Sequence, residues 1–492
     1  MAKKKIQTDS ENIQKVKGQV FTPAVMVSAM LDWCGYYGSQ ILGRHVADNS
    51  CGDGAFLVQV VCRYLEAARA EGLNDMTIRR HLQIYIHGMD CDREAVGQCR
   101  VRLDEVAAAF GFTGIRWKVY YMDSLSCRLF NGMMHYVIGN PPYVRLHNLQ
   151  GITSELLHDY TFTDKGAVDL YLAFFELGFR MLHPEGQLCY ITPVSWIYSK
   201  AGKAMRKYIM QQRNLLEIVD LEHHQVFDGV CTYTLVSRFS GSSCGPMFRY
   251  ARYNPETGIK QAVDDLSLSE VCMDDCFCMA DKETLKLVRA IDNATTDTGI
   301  QVRNGFATLA DSVFIGESVP DSPYTIPVLK ASTGKWSRCF FPYDSEGRPI
   351  PLEVLRKHRT LSKWLTANQS KLKDRDIRQV GWWLFGRSQA VNSVAQPKLA
   401  VNALVRDQAD LKVSFVEPGQ GVYSGYYVTA EDSSQLQRIH EVLMDDTFIR
   451  YIRSLKKYKS GGYYTFSAVD VSRYLHFMVG AEPYSSRQMM IG

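Results

Sequence analysis

With 492 residues, 46% of them hydrophobic and 22% charged, the chain has the composition of a globular protein long enough for two or three domains. A formal net charge of +4 is too small to mark a nucleic-acid binder by itself, so any such binding requires a local basic face. The 13 cysteines are scattered with no Cys-x-x-Cys pair, no apolar run reaches bilayer length, and Met-Ala-Lys-Lys-Lys-Ile lacks a signal-peptide core. Reduced thiols and a cytoplasmic location are therefore expected.

Residues 1–17 are polar and read as a flexible arm. Thr22 before Pro23 has the chemistry of an N-cap followed by a first helical residue, which predicts a helix over about 24–34. From there apolar β-rich runs alternate with helical periods. Strands are expected over 44–48, 83–89, 115–122, 136–138, 187–191, 216–221 and 232–239, and helices over 55–70, 93–110, 170–182 and 200–212. This alternation predicts an α/β fold, a mostly parallel sheet covered on both faces. Ligands bind such sheets beyond the carboxyl ends of the strands, where the strand order reverses.

The strand ends carry chemistry in a consistent order. The first opens into Asp48-Asn-Ser-Cys-Gly-Asp-Gly-Ala-Phe56, where Gly52 and Gly54 permit a tight turn and close backbone approach to a nucleotide-like ligand. The second ends at Asp90, suited to two ribose hydroxyls or to capping the next helix. The third ends at Asp123-Ser124, where a carboxylate could receive an adenine amino group. The fourth, Tyr136 to Ile138, stops at Gly139 and delivers Asn140-Pro141-Pro142-Tyr143.

In that loop two prolines fix two φ angles and remove two donors, leaving a stiff segment that presents acceptors. The Asn140 side-chain oxygen and the Pro141 carbonyl can each accept one N–H of an exocyclic amine. The nitrogen lone pair is then free to face an electrophile, and the Tyr143 ring can stack on a flat base. This chemistry suits methyl transfer to an amino nitrogen.

Taken with their order and spacing over residues 18–240, these motifs resemble the adenine-N6 DNA methyltransferases of bacterial type II restriction–modification systems. The similarity is to the class in which cofactor motifs precede the catalytic loop and target recognition comes last. It implies a class I methyltransferase domain dependent on S-adenosyl-L-methionine, Rossmann-like with a seven-stranded mostly parallel sheet, over 18–245. A mixed α/β target-recognition domain is implied over 246–492.

Phe21-Thr22-Pro23 stands where the family places its amino-terminal cofactor motif. Asp48, Cys51, Gly52, Gly54 and Phe56 match its glycine-rich cofactor loop, with Asn49 replacing a proline many members carry. Asp90 matches the ribose-contacting acid, Asp123 with Ser124 the adenine-contacting pair, and Asn140 to Tyr143 the catalytic loop. Within Asp169-Leu-Tyr-Leu-Ala-Phe174, Phe174 is expected against the cofactor adenine. Pro193-Val-Ser-Trp196 matches a later strand end. Gln225-Val-Phe227 implies that Phe227 joins Tyr143 against an extruded target base.

After Ser240-Gly-Ser-Ser-Cys-Gly-Pro246, which reads as a linker, regular alternation fades. A helix is expected over 281–292 and a strand pair over 302–316 around Asn304-Gly305. Residues 353–378 hold eight bases, Arg356, Lys357, Arg359, Lys363, Lys371, Lys373, Arg375 and Arg378, against three acids. Trp382, Trp383 and Arg387 follow, and Lys456, Lys457 and Lys459 come later. Bases interleaved with aromatics suit phosphate contacts with stacking, so these residues are the expected face for double-stranded DNA.

Other readings are weighed by particular residues. Enzymes that methylate guanine in ribosomal RNA or glutamine in release factors share the Asn-Pro-Pro-Tyr loop, but their extra domain usually precedes it. Cytosine-N4 enzymes usually carry serine or aspartate at the first loop position. A fused nuclease needs more chain than residues 1–17 supply, which leaves open a separately encoded endonuclease as a partner beside DNA. A DNA-binding protein with a degenerate cofactor fold is opposed by the intact loop and glycine turn. Cys272, Cys276 and Cys278 lack metal-ligand spacing, so no metal is expected. A monomer or weak dimer is expected.

Overall fold

The computed structural model describes residues 22–145, 155–163, 169–227, 232–294, 298–375 and 381–480. The expected arm, Phe21 and Arg378 lie outside the described residues. The chain divides into two compact units, Met1–Lys282 and Glu283–Gly492.

The first unit opens with helix α1 (Ala24–Trp33), then strand β1 (Val46–Asp48), α2 (Ala55–Ala70), α3 (Asp75–Tyr85), β2 (Ile86–Asp90), α4 (Arg93–Ala109), β3 (Lys118–Tyr121) and β4 (Met134–Gly139). It continues with α5 (Tyr171–Met181), β5 (Leu182–Pro193), α6 (Lys203–Gln212), β6 (Leu215–Asp220), β7 (Thr234–Ser240), β8 (Met247–Asn254) and β9 (Ile259–Ser267). One sheet takes all nine strands in the order β3-β2-β1-β4-β5-β7-β6-β8-β9. The first five are parallel, and β7 lies antiparallel between β5 and β6.

Two differences from the expected sheet have clear causes. The sheet has nine strands instead of seven because β8 pairs in parallel with β6 and β9 returns antiparallel beside β8. The residues expected as an interdomain linker form a packed turn inside the unit. The Gly241 amide donates to the Gly186 carbonyl at 2.8 Å, and a Cβ at Gly241 would overlap the His183 carbonyl. The first unit accordingly runs to Lys282, past the expected boundary at 245.

Helix α3 was not anticipated. It is started by Asn74, whose side chain accepts from the Thr77 amide, and it runs into β2 at Tyr85–Ile86 with no intervening turn residue. Residues 83–85, expected as strand, are therefore its last turn. The core on one face of the sheet gathers Val27, Leu57, Val61, Ile86, Leu103 and Ile138, all at most 1% exposed. Removing this apolar surface from water is the main force holding the helices to the sheet.

β1 pairs with β2 on one side and β4 on the other, with Val46 opposite both Ile86 and Tyr136. Strand order therefore reverses between β1 and β4. Their carboxyl ends, Asp48 and Gly139, border the crevice where a doubly wound sheet binds ligands.

The second unit is built on smaller sheets. Gln301–Asn304, Tyr426–Thr429, Lys398–Val401 and Val413–Val416 form an antiparallel four-stranded sheet. Lys335–Phe340, Thr325–Lys330 and Gly421–Tyr423 form a mixed three-stranded one. Asn304-Gly305 is not the expected hairpin turn. Gln301–Asn304 pairs instead with Tyr426–Thr429, and Gly305 lies so close to the Val422 backbone that a Cβ would sit 2.5 Å from its carbonyl oxygen. Among the described residues, no helix is long and apolar enough to cross a membrane.

Candidate active site

The loop after β1 is shaped by two glycines with different reasons for being there. Gly54 has φ +92°, and a Cβ on it would lie 2.7 Å from Cys99 Sγ, so its bareness seats the loop on α4. The ion pair between Asp53 and Arg102 (2.6 Å) makes a second tie to that helix. Gly52 has φ +51°, and a Cβ on it would meet nothing within 4 Å. It keeps a left-handed turn beside open space, as close approach of a ligand to backbone requires. Cys51 and Phe56, 4% and 3% exposed, belong to the core and lend the loop its position.

Three acids stand around this loop. The Asp90 carboxylate accepts from the Gly52 and Asp92 amides, both at 2.8 Å. The N-cap of α4 is Asp92, whose side chain accepts from Glu94 and Ala95. Asp90 thus braces the loop, and its remaining acceptor capacity suits ribose hydroxyls. Asp48 accepts from the Ser50 amide at 3.0 Å. Burial pushes its carboxyl up to about 7, and the Asp90 charge adds to the shift. Asp123 accepts from the Leu125 amide at 3.0 Å beside buried Ser124.

Asn49, the departure from the family's loop, is fully buried and accepts from the Tyr190 hydroxyl at 2.8 Å. A side-chain hydrogen bond thus restrains the loop at this position.

The Asn-Pro-Pro-Tyr loop begins one strand away. A Cβ at Gly139 would lie 2.8 Å from Asp48 Oδ1, so only glycine lets the end of β4 close on the cofactor side. Ser50 Oγ donates to the Asn140 main-chain carbonyl at 3.3 Å, and Asn140 Nδ2 donates to Thr22 Oγ1 at 3.1 Å. Both contacts span long sequence separations, and neither was legible beforehand. Pro23 is exposed. Its carbonyl, accepting from Met26 and Val27, starts α1 with no side-chain cap. The expected N-cap role of Thr22 is therefore corrected: its hydroxyl meets Asn140.

Pro141 is buried and Pro142 half-buried. The Tyr143 hydroxyl donates to the Ile191 carbonyl at 3.1 Å, and burial keeps the phenol neutral by raising its pKa well above the usual value. Its ring lies 6.1 Å from that of Phe227 at 70°, and 6.3 Å from that of Tyr171 at 82°. Tyr171 in turn shares a hydrogen bond with Ser195 at 3.0 Å. The structure thus brings Tyr143 and Phe227 together as an edge-to-face pair, not as two parallel platforms. Phe174 is 6% exposed on α5. Its neighbour Phe175 is the one that packs among Tyr190, Trp196 and Phe239.

The expected basic face of the second unit is partly corrected. Helix α7 (Arg359–Lys373) buries Leu361, Leu365 and Leu372 and exposes Arg359, Lys363, Lys371 and Lys373, and Arg356 and Lys357 before it are also exposed. Arg387 and Lys459 are exposed as well. Arg375, by contrast, donates to the carbonyls of Leu372, Thr308, Trp382 and Leu384, with its guanidinium over the Phe314 ring. Trp382 and Trp383 pack against the core, and Trp383 donates to the Ile350 carbonyl at 3.0 Å. Lys456 is 4% exposed, and Lys457 pairs with Asp470 at 2.7 Å. These five residues are structural because their polar groups serve the fold or their rings fill it.

The strand order, the glycine loop at its switch point and the adjoining Asn-Pro-Pro-Tyr turn define a class I methyltransferase, with S-adenosyl-L-methionine as its cofactor. The pocket features fit that molecule. The Gly52 backbone faces open space, and two carboxyls raised by burial, Asp48 and Asp90, suit a cationic ligand.

Residues 106–227 match the Eco57I restriction-modification methylase family. Type II methyltransferase M.BstVI of Geobacillus stearothermophilus is 24% identical, over 81% of this chain and 80% of that protein. M.PaeR7I of Pseudomonas aeruginosa is 25% identical, over 93% and 85% respectively. Among solved structures, the type IIL restriction-modification enzyme MmeI in complex with DNA shares the fold, with a TM-score of 0.60 at 11% identity. This chain is covered to 91% in that comparison and spans 63% of MmeI, less than two thirds of its length. The chain is thus similar, over most of its length, to methyltransferases of type II restriction–modification systems.

Proposed function

We propose that this methyltransferase acts on duplex DNA and methylates the N6 amino group of an adenine turned out of the helix, protecting DNA from a separately encoded endonuclease. The observation that carries this reading is the junction of the two loops. Asp48 closes on Gly139, and Ser50 holds the Asn140 carbonyl, so an amine gripped by the catalytic loop faces the cofactor crevice.

In this reading Asn140 Oδ1 and the Pro141 carbonyl accept the two N–H groups of the adenine amine, aligning its lone pair. Tyr143, anchored at its hydroxyl, and Phe227 bracket the base: rings 70° apart offer one face and one edge. Extrusion costs a few kcal/mol, and stacking recovers about 1–3 kcal/mol per base. When bound, S-adenosyl-L-methionine supplies a methyl carbon on sulfonium, whose C–S electron pair stays with sulfur as the C–N bond forms. The amine then loses a proton to solvent.

Asp90 receives the cofactor ribose and Asp123 with Ser124 the adenine, with Phe174 against its ring; Pro23 stands at the methionine end, and the Thr22 hydroxyl is taken up by Asn140. The second unit reads the target sequence, with Arg356, Lys357, Arg359, Lys363, Lys371, Lys373, Arg387 and Lys459 supplying phosphate contacts.

The test is to incubate the purified chain with methyl-labelled cofactor and DNA from a methylation-free host, then identify the labelled base. Label in N6-methyladenine is expected. Label in cytosine, or in RNA or a polypeptide but not in DNA, overturns the proposal.

A further inference from the structure

We propose that Thr22 is a positioning residue for Asn140, setting which end of its side-chain amide faces the acceptor amine. The inference rests on the adenine reading above and extends it. Thr22 is 7% exposed, and its hydroxyl lies 3.1 Å from Asn140 Nδ2, across 118 residues of sequence. Helix α1 makes no use of that hydroxyl, since Pro23 starts it without a side-chain cap.

The chemistry follows from the two ends of an amide. An amine N–H on the substrate needs an acceptor, so Asn140 is productive only with Oδ1 toward the base and its NH2 turned away. In that orientation the NH2 enters a buried site, where a donor without an acceptor is costly. Thr22 Oγ1 accepts from it. Replacing the hydroxyl by a methyl removes the acceptor while keeping the side-chain volume. The productive rotamer is then disfavoured, whereas the crevice around Gly52 and Asp90 is untouched.

The experiment compares Thr22→Val, Thr22→Ser and Asn140→Ala by two readouts. One is affinity for the cofactor. The other is the single-turnover rate of methyl transfer to DNA from a methylation-free host, at saturating cofactor. Thr22→Val should bind cofactor within about twofold of the parent and transfer methyl roughly 10- to 100-fold more slowly. Thr22→Ser should recover most of the rate. Adding Thr22→Val to Asn140→Ala should cost nothing further. Thr22→Ala repeats the comparison if the valine variant does not fold.

The assignment is overturned if loss of the hydroxyl weakens cofactor binding while the saturated rate holds. It is equally overturned if its effect is as large with alanine at 140. A parent chain that methylates no adenine in DNA brings down the functional reading itself, a result distinct from either of these.

Discussion

The Tyr190 hydroxyl donates to Asn49 Oδ1 at 2.8 Å, joining the middle of the sheet to the cofactor loop through a contact with no exposed surface. Because both partners are buried, neither can turn to water when the other is removed. Tyr190→Phe should lower stability by about 1–3 kcal/mol and loosen the loop, weakening cofactor binding. Paired with Asn49→Ala it should cost less than the sum of the two single changes. Thermal melts and a cofactor titration of the four proteins check this. Strictly additive losses would show that the bond does not restrain the loop.

Tyr143 has two separable jobs. Its hydroxyl anchors it to the Ile191 carbonyl, and its ring meets Phe227 edge to face. Tyr143→Phe keeps the ring and should reduce turnover only severalfold. Tyr143→Ala removes the ring proposed to hold an everted base and should cost about 10- to 100-fold, consistent with roughly 1–3 kcal/mol of stacking. A fluorescent adenine analogue at the target site should brighten with the parent and with Tyr143→Phe, and far less with Tyr143→Ala. Equal brightening in all three would remove the ring from base eversion.

The pH response should carry the mark of Asp48. Its carboxyl, raised by burial to about 7 from an unfolded value of 3.8, keeps a proton in the folded chain that the unfolded chain has released. That contribution to stability is full below the unfolded value and is lost as pH rises through 7. His87 acts in the opposite sense. Burial lowers its pKa to about 3 from 6.5, so stability falls as acid protonates the unfolded chain first. In the cofactor-free protein, Asp48→Asn should abolish the decline between pH 5 and pH 8 and leave the acid limb in place. A cationic cofactor favours the carboxylate, so its binding should release protons near neutrality, measurable by calorimetry in buffers of different ionisation enthalpy. Binding with no proton release would separate Asp48 from the cofactor.

The basic residues of the second unit should divide by what they touch. Replacing Lys363, Lys371 and Lys373 together by alanine should weaken DNA binding at every sequence. It should also reduce the slope of log affinity against log salt by up to roughly 0.9 per lost phosphate contact. Arg375→Ala should instead lower the melting temperature, because four carbonyls each lose a charged donor. An unchanged salt slope in the triple variant would move the DNA face elsewhere.

Local chemistry alone was enough to place the strand ends. Asp48, Asp90, Asp123 and Asn140 each follow an apolar run and precede a glycine, proline or helix start, and those signals depend only on near neighbours. The helix over Ala55–Ala70 emerged at its expected bounds for the same reason. Pairing partners were decided by the tertiary structure. Sequence periodicity does not say that β8 and β9 extend the sheet, that Gln301–Asn304 seeks Tyr426–Thr429 instead of folding back, or that Lys456 is buried. The Thr22–Asn140 and Tyr190–Asn49 bonds, formed across 118 and 141 residues, belong to the same class. A side chain's local preferences are written in its own segment, but its partner is whatever the packed sheet brings within about 3 Å.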